Sequence, residues 1–120
     1  MKLQREDRQI EALAWYQRVF GEAAGNIPTR VKAIAAEAMT LAHEEGVGRA
    51  DLHMMVEHAC QGPPAGVADA VGALCLALLG YCEARGLSAE RCERNELARV
   101  ASVPVGTSRA GAAAAMAHRD

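Results

Sequence analysis

The sequence has few aromatic residues. They make up 3 % of its 120 residues, with a single Trp and a single Phe. Apolar residues nevertheless reach 51 %, and many of them are alanine. Sheets favour aromatic and β-branched side chains, whereas small unbranched side chains favour close-packed helices. We therefore expect an all-α fold, and the length suits one small domain.

The sequence also lacks an excess of charge of either sign. Its net charge is -2, and no run of Lys or Arg stands out. Proteins that bind nucleic acids usually present a basic face to the phosphates. We therefore expect no nucleic-acid partner.

The features of an exported protein are missing as well. The N-terminus MKLQREDRQ is charged and has no apolar core of the kind a signal peptide needs. The four cysteines, Cys60, Cys75, Cys82 and Cys92, include no Cys-x-x-Cys pair. We expect free, mostly buried thiols in a cytoplasmic protein. Disulfides or a zinc site are the alternatives, and the spacing favours neither.

Five segments show helical periodicity, and glycine or proline separates them. They are predicted at about Leu3–Phe20, Thr29–Glu45 and Ala50–Cys60, from Ala70 to the Gly86 that ends the fourth helix, and from the Ser88 cap to about Ala101. Together they predict a bundle of about five helices within a domain of residues 1–103. Residues 104–120 favour helix only locally and have no large apolar stripe, so we expect a flexible tail.

Two of these helices have apolar faces that we expect to point to the core. On the second helix the core stripe follows the i, i+3, i+4, i+7 pattern: Val31, Ile34, Ala35, Ala38, Leu41 and Ala42. On the first helix the predicted face is marked by Ile10, Leu13, Ala14 and Gln17, with Trp15 and Val19 beside it.

Residues 70–82 of the fourth helix, AVGALCLALLGYC, contain no charged residue. A helix that is apolar all round is expected to be buried all round. It looks too short to cross a membrane, which takes about 20 apolar residues. We therefore expect the central helix of a bundle. The chain has few other helices to cover it, so we expect a homodimer or a higher homo-oligomer through residues 70–82, and no membrane association.

Several short motifs follow one another along the chain: WYQRVFG, AEAMTL, GVGRADLHMMVEHACQGPPAG, ADAVGALCLALLGYCEARGLS and NELARV. This succession, from about Trp15 to Val100, resembles the MazG-like branch of the all-α nucleoside triphosphate pyrophosphatases. It looks most like the small members common in phages and proteobacteria. The resemblance implies a helical bundle that forms dimers or tetramers. It also implies Mg²⁺-dependent cleavage of a nucleoside triphosphate between its α and β phosphates.

In that family Mg²⁺ is held by a Glu-Glu-x-x-Glu motif on one helix and by a Glu and an Asp about one turn apart on a second. Mg²⁺ prefers hard oxygen ligands, and residues three or four apart share a helix face. The resemblance places Ala36, Glu37 and Thr40 at the first motif, and Ala70 and Ala73 at the second. Glu37 alone keeps a carboxylate, so the motif is degenerate.

Two acidic residues stay candidates for a catalytic and metal site. Asp69 precedes Ala70 and shares a side of the helix with Ala73, so Glu37 and Asp69 are the residues with which the chain would hold a weakly bound Mg²⁺ through water. The alternative is a solvated Glu37 and an Asp69 that interacts with its helix dipole. His53 and Glu57 also share a helix face, but two ligands do not make a metal site without a third.

Three functions are compatible with this sequence. The loss of carboxylates favours a non-catalytic relative that keeps the oligomeric bundle and binds a nucleotide or a protein partner. The first alternative is an active, Mg²⁺-dependent nucleoside triphosphate pyrophosphohydrolase with a rearranged site. The second is a plain helical interaction protein that shares only helical patterning with the family. A further open choice concerns Trp15, which either stacks on a base or, as we expect, anchors the core.

Overall fold

The structure, a computed structural model, describes residues 4–104. Over this range the fold is all-α, as predicted. The helices are α1 (Arg5–Phe20), a short 3₁₀ helix (Glu22–Gly25), α2 (Ile27–Glu44), α3 (Arg49–Gln61), α4 (Val67–Arg85) and α5 (Ala89–Val100). Apart from Pro104, the predicted tail of residues 104–120 lies outside this range, as does the start of the chain before Gln4.

Short-range signals set several of the helix ends. Gly21 follows α1 with a φ of 98°, and Gly86 follows α4 with a φ of 76°. A positive φ is readily adopted only by glycine, which is why glycines end helices so often. Ser88 caps α5, because its side-chain oxygen accepts a hydrogen bond of 3.1 Å from the Arg91 backbone N–H. These ends agree with the predicted ones.

Contacts divide the chain into two units, one containing residues 4–27 and 78–104 and the other residues 28–77. The first unit has a small core made of Trp15, Val19, Val100 and Val103. Phe20 packs edge-on against the Trp15 ring, with ring centroids 5.6 Å apart. The expectation that Trp15 anchors the core is confirmed.

A partly buried ion pair accompanies this core. Arg8 is buried in α1, and its Nη2 donates to the Glu93 carboxylate of α5 over 2.7 Å. Ile10 and Leu13, which were predicted to mark the core face of α1, are exposed instead. That prediction was wrong because α1 contacts the charge-rich helix α5. At this contact Glu93 pairs with Arg8, and the aliphatic side chains Ile10 and Leu13 are not buried.

The second unit, residues 28–77, contains no buried residue. It comprises nearly all of α2, the whole of α3 and the first part of α4, and none of these helices packs closely along another. Val31, Ile34 and Leu41, from the predicted core stripe of α2, are exposed. The stripe is therefore not buried within one copy of the chain.

Helix α4 differs from its prediction in length and in burial. It has 19 residues, and only Cys82 among them is buried. By length and composition it is the one helix of the described range that is long and apolar enough to span a membrane, a test that core helices of soluble proteins also pass. The argument that the helix is too short to span was therefore wrong, because the helix continues beyond residues 70–82 at both ends.

All four cysteines are free. Cys82 is buried and Cys75 is half-buried, whereas Cys60 and Cys92 are exposed. The predicted free thiols are thus confirmed, but the expectation that most of them are buried holds for neither Cys60 nor Cys92. Both of these lie on exposed positions of their helices.

Candidate functional site

The residues that the resemblance places at the first metal motif lie on α2. Ala36, Glu37 and Thr40 are all exposed there. The Thr40 hydroxyl donates a hydrogen bond of 3.0 Å to the Ala36 carbonyl oxygen, one turn earlier on the same helix. This is the usual way in which a threonine inside a helix satisfies its hydroxyl. Glu37 is therefore the only residue of this motif that offers a carboxylate oxygen to a cation.

Asp69, the acid beside the predicted second motif, lies in the first turn of α4. Asp69 is exposed at this end, and Ala70 follows with its backbone N–H bonded to the Gly66 carbonyl oxygen over 3.0 Å. A carboxylate in the first turn of a helix is stabilised by the helix dipole and by the unpaired N–H groups. The position of Asp69 thus agrees with the helix-dipole alternative, and the metal alternative stays a prediction.

The described residues do not gather acidic side chains into a cation site. Across residues 4–104, no group of three or more His, Cys, Asp and Glu side chains is placed to hold a metal ion. Glu37 and Asp69 are thus not brought into such a group. Mg²⁺ usually keeps several water ligands and is held by one or two carboxylates, so the site made of Glu37 and Asp69 stays a prediction.

Histidines on α3 border an open depression of about 320 Å³. Its lining residues are His53, Met54, Glu57, His58 and Gln61. All of them belong to the single helix α3 (Arg49–Gln61), so the depression has a wall on one side only. His53 and Glu57 share a face as predicted, but the absence of a third ligand in the part of the chain that the structure describes leaves them a surface pair.

A second open cavity, of about 520 Å³, lies at the turn from α4 to α5. It is lined by Leu79, Cys82, Glu83, Gly86, Leu87, Ser88 and Ala89. Glu83 is the one charged residue in this lining, and the Ser88 side chain already caps α5. Phosphate groups are bound by cationic side chains or by unpaired backbone N–H groups. The lining of this cavity therefore offers no cationic side chain to a nucleotide phosphate.

Sequence patterns gave no sign of the buried Arg8. Its Nε also donates to Glu93, over 3.2 Å, and Arg5 contacts the other oxygen of the same carboxylate over 3.1 Å. Arg8 lies between a glutamate–aspartate pair and a glutamine, and such polar neighbours indicate a solvated surface position. Only the position of α5 shows that this arginine is a structural residue.

No protein-family model matches this chain, and the curated proteins and solved structures contain no match to it either.

Proposed function

We propose that this chain is a MazG-like helical protein with a degenerate metal motif. In this proposal it keeps an oligomeric bundle and binds a nucleotide or a protein partner without hydrolysing a triphosphate. The observation that carries the proposal is the set of side chains at the metal positions. The resemblance expects acids at positions 36, 40, 70 and 73, and the chain has Ala36, Thr40, Ala70 and Ala73 there.

The chemistry explains why these positions decide between binding and catalysis. An alanine methyl group cannot bind a metal, and the Thr40 hydroxyl already donates to a backbone carbonyl. Cleavage of a phosphoanhydride depends on Mg²⁺ to bridge phosphate oxygens and to support the charge that develops on them. Each tenfold of rate requires about 1.4 kcal/mol of transition-state stabilisation. Without most of the metal ligands, the rate should fall by many powers of ten.

Pyrophosphate release tests the catalytic half of this proposal. The full chain is incubated with a panel of nucleoside triphosphates while Mg²⁺ is titrated, and we expect no release above the protein-free rate. Robust release that Glu37→Ala abolishes and Glu44→Ala preserves would overturn the proposal in favour of a working, rearranged site. Glu44 is a suitable control because it is an exposed acid on the same helix, about two turns further on.

Thermal shift tests the binding half. A ligand that binds only the folded state raises stability by RT ln(1 + [L]/Kd), so a bound nucleotide at 100 times its Kd adds about 2.7 kcal/mol. We expect one nucleotide of the panel to raise the melting temperature. If no nucleotide of the panel raises the melting temperature, the nucleotide-binding half of the proposal fails and binding of a protein partner is left as the proposed function.

A second candidate function, a plain helical interaction protein, is favoured by one feature of the structure. Large apolar side chains are exposed along α2, α3 and α4, and contiguous apolar surface usually marks a place where proteins meet. This candidate predicts no response to any nucleotide. It also predicts no gain of Mg²⁺ binding when acids are restored at the four positions.

A further inference from the structure

We draw no further inference here: the strongest candidate, the exposed apolar stripe along α2 that contains Val31, Ile34 and Leu41, carries no proposal because nothing in the described residues shows what covers it.

Discussion

At the scale of single residues, Arg8 connects the start of α1 to α5. Its side chain is 9 % exposed and pairs with Glu93, whose side chain is 32 % exposed. Arg8→Ala leaves the Glu93 carboxylate partly buried without its main partner. We expect a loss of about 1–3 kcal/mol in the free energy of unfolding, less than for a fully buried pair because water still reaches Glu93.

Urea denaturation measures this loss, and Arg5→Ala is the control. Arg5 contacts the same carboxylate, but its side chain is 54 % exposed. Exposed ion pairs contribute at most about 1 kcal/mol, so the control should change stability little. Equal losses in the two variants would mean that the burial of Arg8 has no energetic consequence.

The metal positions give a second prediction at this scale. The combined change Ala36→Glu, Thr40→Glu, Ala70→Glu and Ala73→Asp should restore Mg²⁺ binding if the resemblance aligns the helices correctly, because several carboxylates would again face one cation. Isothermal titration with Mg²⁺ measures the gain. The matched control replaces the same four residues with Gln, Gln, Gln and Asn, which keep the shapes without the charges. A folded acidic variant that binds no Mg²⁺ would show that the alignment is wrong.

At the scale of secondary structure, the stability of α5 depends on the Ser88 cap at its N-terminus. The Ser88 side chain accepts from the Arg91 N–H, and loss of such a cap costs about 1 kcal/mol. Ser88→Ala should lower the free energy of unfolding by that amount. Ser102→Ala is the control, since the exposed Ser102 hydroxyl only donates to the Arg99 carbonyl oxygen at the end of the helix. A larger loss at Ser102 than at Ser88 would contradict the capping argument.

Whether a feature of the fold could be predicted depends on how far apart in the sequence its interacting residues lie. The ends at Gly21 and Ser88 depend on local backbone preferences, so the sequence indicates them directly. The start of α4 at Val67 was missed because the prediction began with the uncharged run that follows Asp69. The buried face of α1 was also missed, because it depends on which helix α1 meets. For the same reason the sequence places Glu37 and Asp69 on helices but cannot show whether they approach each other.

At the scale of the whole molecule, we expect the core to require the chain as far as Val103 and not the residues after it. Val103 is buried against the core that contains Trp15 and Val100. A chain truncated after Val103 keeps this core, and we expect its melting temperature to stay within a few degrees of the full chain. Truncation after Arg99 removes Val100 and Val103, and loss of buried aliphatic groups should lower stability by at least about 2 kcal/mol. A large drop on the first truncation would mean that residues after Val103 are needed for folding.

The concentration dependence of unfolding follows from the absence of buried residues in residues 28–77. Ordering a residue costs about 1–2 kcal/mol of backbone entropy, and burial of apolar surface is the main term that offsets it. Without such burial, these helices must gain stability from another molecule. Folding is then coupled to association, and mass action makes the melting temperature rise with protein concentration.

We expect an increase of several degrees between about 1 and 100 μM, measured by circular dichroism. A wild-type melting temperature that is constant over this range would show that residues 28–77 are stable without a partner, and that their exposed apolar side chains do not form a shared core.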